Sequence, residues 1–121
     1  VGNNPNGQPA LYRHNGIGST ASEELVEGIE NLQILYGVDT NADGVANYYT
    51  SANQVDFIDN ANPIVSVRIA LLVRSRNEIF TRPDAAAGTV FDLATAQVRA
   101  VNDKRLRKTF TTTIKIRNKG L

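Results

Sequence analysis

Side chains that carry oxygen recur at alternate positions in one short stretch of the chain. Asp39, Asn41 and Asp43 stand at every second position, and Gly44 follows them. A Gly adopts a positive φ at little cost, so the backbone can curl there and direct neighbouring oxygen atoms towards one centre. Hard cations such as calcium bind rings of this kind. The stretch predicts a calcium loop whose ligands are the side chains of Asp39, Asn41, Asp43 and Asn47 and the carbonyl oxygen of Val45.

The spacing follows that of the helix–loop–helix calcium loop only in part. The agreement holds from Asp39 to the ninth position, but the twelfth, where that loop has a bidentate Glu, is Thr50. A calcium site would need its missing carboxylate from elsewhere, and Asp56 and Asp59 are the candidates. The alternative is a hairpin turn at Asp43 without a metal, and ordinary turn chemistry favours that alternative.

Composition excludes several classes of catalytic site. The chain has 121 residues, no cysteine and a single histidine, His14. Thiolate catalysis and disulfides are therefore excluded, and one histidine does not support structural zinc or a His-dependent triad. Lys and Arg number 13 against 12 Asp and Glu, so the charge balance does not predict a nucleic-acid partner. We expect one domain that is not an enzyme.

The elements around the acidic stretch have the two-residue periodicity of strands. Strands are predicted over residues 10–13, 29–38, 46–50, 64–74 and 110–116. The predicted fold is mainly β, with an antiparallel sheet and at most one short helix. The apolar faces of the strands at Leu32, Val65 and Phe110 are expected to form a common core.

The segment before the acidic stretch supports two interpretations. Thr20 and Glu23 have the spacing of a capping box, which predicts a short helical turn that ends by Glu27. The same residues also fit a strand with a bulge at Gly28. A Gly within a helix costs about 1 kcal/mol relative to Ala, so we expect the helical turn to be short.

Charged residues leave two further alternatives open. Arg68 and Arg74 lie on one face of the strand over 64–74, where they either pair with carboxylates of neighbouring strands or are solvated, and solvation is favoured. A basic cluster over residues 104–108 either meets an acidic partner or is the solvated start of a strand, and the second interpretation is favoured.

Two parts of the chain lack clear periodicity. Residues 1–9 are rich in Gly, Pro and Asn, which predicts a flexible lead-in before a single domain over 10–121. Residues 78–101 are expected to form a long loop, with a weak indication of a helical turn over 93–101.

Four segments in series resemble the PilW-type minor pilins of type IV pili. They are PALYR at residues 9–13, ELVEGIENLQILYGVDTNADGVANYY at 24–49, IVSVRIALLVRS at 64–75 and KRLRKTFTTTIKIRNK at 104–119. Their order and spacing agree with the family, and together they cover most of the chain. The resemblance implies an α+β pilin-like fold that corresponds to the C-terminal part of the globular domain, and a relation to the pseudopilin GspJ of type II secretion.

The same resemblance implies a place and partners. A pilin of this kind has an N-terminal hydrophobic helix, which we expect to lie outside this sequence and to be its only membrane contact. The implied location is the cell-surface pilus or the periplasmic face of the inner membrane, and the implied partners are other minor pilins and a tip adhesin. Association with further copies or other subunits is expected through open sheet edges.

Two functions from different classes follow. The first is a structural minor pilin that takes part in priming pilus assembly and in the tip complex. The second is a calcium-stabilised extracellular adhesive or ligand-binding module, because extracellular calcium sites work at dissociation constants of about 10⁻⁴ to 10⁻³ M and an incomplete loop can be filled there. Calcium is the one cofactor that the sequence predicts.

Overall fold

Strands make up nearly all of the regular structure. The computed structural model describes residues 1–18, 20–54, 62–79, 90–94, 96–99 and 103–116. The strands are β1 Gly2–Asn3, β2 Pro9–His14, β3 Ser22–Glu27, β4 Ile29–Val38, β5 Tyr48–Thr50, β6 Ile64–Arg74, β7 Val90–Leu93, β8 Ala96–Arg99 and β9 Arg107–Lys115. A 3-10 turn, Ala52–Gln54, is the one helical element among the described residues. The predicted mainly β fold is confirmed.

The strands form three sheets. Their orders are β1-β2-β3, β5-β4-β6-β9 and β7-β8. β2 pairs with its neighbours β1 and β3 in antiparallel register, and β4 pairs with β5 in the same way. β3 contains one extra residue, Leu25, because Leu11 pairs with Val26 and Tyr12 pairs with Glu24. This bulge bends β3 at the outer edge of its sheet.

The chain divides into two compact units. Unit 1 comprises the described residues of Val1–Leu32, Leu71–Leu93 and Gln97–Phe110, and unit 2 comprises those of Gln33–Ala70, Ala94–Ala96 and Thr111–Leu121. The buried apolar residues are Ala10, Ile29, Leu72 and Leu93 in unit 1, and Leu35, Val38, Val65 and Ala70 in unit 2. Full burial of an aliphatic side chain of the size of Leu contributes roughly 1.5 to 3 kcal/mol. The assignment of 10–121 to a single domain stays a prediction.

Gly28 separates β3 from β4. Its φ is +93°, its N–H donates to the carbonyl of Pro9 (2.7 Å), and its own carbonyl accepts the N–H of Arg74 (2.8 Å). A residue with a Cβ would place that atom 3.0 Å from the Arg74 carbonyl oxygen. The predicted helical turn up to Glu27 is wrong, because pairing with β2 outweighs the local capping signal and makes this segment a strand.

The predicted core is correct at Val65 and wrong at Phe110. Val65 is buried and Leu32 is half-buried, whereas Phe110 is 51% exposed. In β4 burial does not follow one face, because Leu35 and Val38 are both buried whereas Ile34 is exposed. Alternation shows that a strand has two unlike faces, but the tertiary structure decides which face is covered.

The first nine residues contain structure where a flexible lead-in is predicted. β1 pairs with β2, and Asn4 is buried. The Asn4 Oδ1 accepts the N–H groups of Asn6 and Gln8, both at 3.0 Å, and its Nδ2 donates to Glu24 and Glu27. These hydrogen bonds order a stretch whose composition alone indicates mobility.

The later part of the chain also differs from the sequence prediction. β7 and β8 pair with each other within 78–101, where a long loop is predicted, and β8 replaces the predicted helical turn. Residues 80–89 lie outside the described part of the chain. The return strand is confirmed as β5, which begins two residues later than the predicted position 46.

Candidate functional site

The Asp39 turn, residues 39–47, connects β4 to β5 in unit 2. Asp39 is 1% exposed, and its Oδ1 accepts the N–H groups of Asn41 (3.1 Å) and Ala42 (2.8 Å). Its Oδ2 accepts the N–H of Gly44 at 2.8 Å. Ala42 and Gly44 have φ values of +59° and +80°, so the backbone curls around the carboxylate. The turn is built around one buried anion that is hydrogen-bonded to three N–H groups.

Two opposing effects act on the pKa of Asp39. Burial raises the pKa, but hydrogen bonds from the backbone of Gly44, Asn41, Ala42 and Asp43 lower it, and the hydrogen bonds prevail. The pKa of Asp39 therefore lies below the ordinary 3.8 of this group. The carboxylate stays charged at neutral pH because the charged form is the better acceptor.

The other predicted ligands also take part in hydrogen bonds of the turn. Asp43 accepts the N–H of Val45 at 2.9 Å and the side-chain amide of Asn41 at 3.1 Å. The Asn47 Oδ1 accepts the N–H of Thr40 at 2.7 Å and its hydroxyl at 3.0 Å. The structure thus brings Asn41 next to Asp43 on the exposed side of the turn, while Asn47 is directed at Thr40.

The calcium site stays a prediction. Asp56 and Asp59, the candidates for the missing carboxylate, lie outside the described residues. Within the described residues, no group of three or more His, Cys, Asp or Glu side chains is arranged to hold a metal ion. A cation at this turn would need amide and carbonyl oxygens as ligands in addition to the carboxylates, and the predicted ligand set includes such oxygens.

Next to the turn, an aromatic ring lies across a glycine of the sheet. Tyr49 pairs with Gly37, its hydroxyl lies 3.0 Å from the Ser66 Oγ, and the guanidinium of Arg68 stands 3.8 Å from the centroid of its ring. The Arg68 Nε also donates to the Thr113 hydroxyl at 3.3 Å. A Cβ on Gly37 would overlap the Ser66 Oγ and come within 2.9 Å of the ring. Glycine is required here because the ring and the hydroxyl occupy that space.

Unit 1 contains a second polar group, the Arg107 cluster, which comprises Glu30, Arg74, Asp103 and Arg107. The Arg107 side chain is 4% exposed and forms paired hydrogen bonds of 2.7 and 2.9 Å to Glu30 and of 2.8 and 2.9 Å to Asp103. Arg74 donates to Glu30 at 3.3 Å and to the Gln8 side chain at 3.0 Å. Arg105 adds a longer ion pair to Asp103 at 3.9 Å, so each carboxylate is paired with two guanidinium groups.

The pKa values in this cluster move in opposite directions. The hydrogen bonds from Arg107 lower the pKa of Asp103 to about 2, against the effect of burial. The hydrogen bonds to Asp103 and Glu30 raise the pKa of Arg107 above its ordinary value. Both groups are charged throughout the physiological range, so the cluster is suited to holding strands together rather than to transferring protons.

The cluster decides two of the alternatives left open by the sequence. Arg74 pairs with a carboxylate of the neighbouring strand β4, whereas Arg68 stacks on Tyr49. Arg107, which the sequence places in a solvated basic stretch, is buried and ion-paired. Asp103 stands four residues before Arg107, and this spacing was the available signal for the pair.

A cavity lies beside the same cluster. It has a volume of about 430 Å³, and Glu30, Arg74, Pro9 and Val98 contribute to its lining. The Nε of Arg74 is buried without a hydrogen-bond partner among the described residues. The remaining Arg74 nitrogens are engaged by Glu30 and Gln8, so the side chain is held in place.

No helix in the described part of the chain has the length and apolar composition needed to cross a membrane.

Comparison with known proteins identifies the family. No curated protein and no solved structure matches the chain. The sequence model of the family described as type IV pilus-assembly protein W, PilW, matches residues 1–118, which include both the Asp39 turn and the Arg107 cluster. The chain belongs to the PilW family of type IV pilus assembly proteins.

Proposed function

We propose that the chain is a minor pilin, a structural subunit that takes part in priming type IV pilus assembly and in the tip complex. The family match over residues 1–118 carries this proposal. Sheets with edge strands support it, because an exposed edge can receive a strand from another subunit. The described acidic groups with lowered pKa values, Asp39 and Asp103, are engaged in hydrogen bonds that stabilise the fold, which favours a structural role over a catalytic one.

In this role the chain acts together with other minor pilins and a tip adhesin. Its place is then the pilus or the periplasmic face of the inner membrane. The relation to the pseudopilin GspJ, and the correspondence to the C-terminal part of a pilin globular domain, belong to the same proposal. Membership of a pilus assembly family supports association with other pilus components.

Removal of the protein tests the assembly role. Cells that lack this chain are expected to display far fewer pili in electron micrographs, and the wild-type chain is expected to restore their number. The His14→Ala variant serves as a control, because His14 is exposed at the end of β2 and should restore pili equally well. An unchanged number of pili in the deletion strain would contradict the proposal.

Calcium binding at the Asp39 turn is a second, separate proposal. The adjacent and exposed oxygens of Asn41 and Asp43 favour it, and the Val45 carbonyl and Asn47 complete the predicted set. A bound calcium would give the protein the character of an extracellular adhesive or ligand-binding module whose loop is stabilised by the ion. Asp39 would add charge to the site while it keeps its hydrogen bonds to the backbone.

A calcium titration followed by thermal unfolding tests this second proposal. Millimolar calcium is expected to raise the unfolding temperature of the wild-type chain and to leave the unfolding temperature of Asp43→Ala unchanged. Asp103→Ala is the control, because it removes one carboxylate far along the sequence and should retain the response to calcium. Equal responses of the wild-type chain and Asp43→Ala, or no response at all, would remove calcium from this turn.

A further inference from the structure

The last part of β9, residues 111–115, is an open strand edge in unit 2. β9 stands last in the order β5-β4-β6-β9, so among the described strands it pairs on one side only. The N–H of Ile116 donates to the Val65 carbonyl of β6 at 2.9 Å. Hydrogen-bonding direction alternates along a strand, so the N–H groups of Thr111 and Thr113 face the open side. All five side chains are exposed, which leaves the edge accessible within the described part of the chain.

Apart from Lys115 at its end, this edge lacks the features that usually protect an outer strand. Residues 111–114 read TTTI, without proline, glycine or charge, and their β propensity is high. β3, an outer strand of the β1-β2-β3 sheet, is different. β3 has the bulge at Leu25 and carries Glu23 and Glu24, both of which discourage the addition of a strand. The open edge of β9 is the one of the two that is suited to receive a partner.

One face along this edge is basic. Thr113 accepts a hydrogen bond from Arg68, and Lys115 follows two residues later, so Lys115 lies on the same face as Arg68. The Arg68 guanidinium lies over the Tyr49 ring and donates to Thr113, so it adds positive charge to this face next to β9. Neither Arg68 nor Lys115 forms an ion pair within the described residues.

The opposite face along the same edge is apolar. Ile114 is 52% exposed there, between the hydroxyl-bearing Thr112 and the end of the strand. A strand added beside β9 would place its side chains alternately on the basic face and on the apolar face. The complementary sequence is therefore one in which acidic and apolar residues alternate.

We propose that residues 111–115 of β9 bind an extended acidic segment of another pilus subunit, with its carboxylates on the face that carries Lys115 and Arg68, nearest to Lys115, and its apolar side chains over Ile114. Backbone hydrogen bonds to Thr111 and Thr113 hold the segment in register. A second copy of this strand is a poor partner, because it brings the same cations to the edge and no carboxylate. That the partner is a pilus subunit rests on the proposed function; the chemistry of the edge does not.

A synthetic peptide in which Glu and Val alternate is the probe for this edge. On titration into the chain, the amide signals of Thr111 and Thr113 are expected to shift in NMR spectra and their hydrogen exchange to slow. A peptide with Lys in place of Glu is the control and is expected to bind far more weakly. Equal binding of both peptides, or shifts that appear only at other strands, would overturn the proposal.

Three variants separate this edge from a general effect of charge. Lys115→Glu is expected to weaken binding of the Glu-Val peptide by about threefold to tenfold. Lys108→Glu makes the same charge change on the same strand but on the opposite face, and is expected to bind like the wild-type chain. Thr111→Pro removes an N–H that faces the open side, which an outer strand tolerates, and should abolish protection of the Thr113 amide.

Thermal unfolding of each variant shows that it is folded before binding is compared. Equal weakening by the Lys115 and Lys108 substitutions would overturn the proposed site, as would unchanged binding to Thr111→Pro. Pilus counts in cells distinguish a failure of the proposed assembly role from a failure of the proposed β9 site. Deletion of the chain without effect on pili would refute the assembly role, whereas full complementation by both Lys115→Glu and Thr111→Pro would refute only the role of the β9 edge.

Discussion

Asp39 stabilises its own turn through the backbone. Its two carboxylate oxygens accept three backbone N–H groups of the turn. A buried charge is costly unless it is hydrogen-bonded, so these three bonds explain how a charged residue can be buried after the end of β4. The role of Asp39 in the fold does not depend on a bound ion.

Asp39→Asn is expected to lower the midpoint of thermal unfolding in the presence of a chelator. The Asn amide has one oxygen instead of two, so its NH₂ group would face a backbone N–H that now donates a hydrogen bond to the carboxylate. Asp43→Asn is the matched control, since Asp43 is exposed and its loss should change the midpoint much less. Equal effects of the two substitutions would contradict the structural role assigned to Asp39.

Gly37→Ala is expected to destabilise the fold by about 1 to 3 kcal/mol, as overpacking of a filled site does. The added Cβ overlaps the Ser66 Oγ and crowds the Tyr49 ring. Gly2→Ala is the control, because a Cβ there meets the Tyr12 ring at an ordinary distance of 3.7 Å. Chemical unfolding curves measure both free energies of unfolding, and a neutral result for Gly37→Ala would show that the ring is free to move away.

At the level of strands, the Arg107 cluster links β4, β6 and β9 within unit 1. Arg107 bonds to both Glu30 and Asp103, which are far apart in sequence, and Arg74 forms a second ion pair with Glu30. Buried ion pairs of this kind are costly to break because the remaining charges are left without a partner. The cluster therefore fixes which parts of these strands lie side by side.

Arg107→Ala is expected to lower the free energy of unfolding by about 3 kcal/mol or more. Glu30 and Asp103 would remain part-buried after losing their paired hydrogen bonds to Arg107. Arg13→Ala is the matched control, because the ion pair of Arg13 with Glu23 is exposed and contributes at most about 1 kcal/mol. Chemical unfolding compares the two variants, and equal losses would argue against a buried role for Arg107.

The cluster also predicts how stability depends on pH. The pKa of Asp103 is about 2 in the folded protein and near 3.8 in the unfolded chain, so between these values the unfolded chain binds more protons. The shift corresponds to about 2 to 3 kcal/mol, which solvent screening reduces to roughly 1 to 2 kcal/mol. This stabilisation is complete above about pH 5 and is lost progressively as the pH falls through about 2. Asp103→Asn is expected to flatten this part of the stability profile, and an unchanged profile would contradict the assignment.

At the scale of the whole molecule, the predicted strands and the observed strands agree where the alternation is long. β4 begins at Ile29 and ends at Val38, as predicted. β2, β6 and β9 lie where apolar residues alternate. Long alternation of apolar and polar residues is specific to a half-buried strand, because in no other regular structure do successive side chains lie on opposite faces. The turn at residues 39–47 is also predicted from a local pattern, because its Asp, Asn and Gly residues favour a curled backbone.

The sequence by itself determined the β class, the main strands and the Asp39 turn, because those depend on neighbours in the chain. Only the tertiary structure decided that β3 is a strand, that Phe110 is exposed, and that Arg107 is buried between Glu30 and Asp103. The Asp103–Arg107 pair is local, but the pairing of β3 with β2, the exposure of Phe110 and the contact of Arg107 with Glu30 depend on residues far apart in sequence. A local pattern carries no information about which distant strand will supply the partner or the cover.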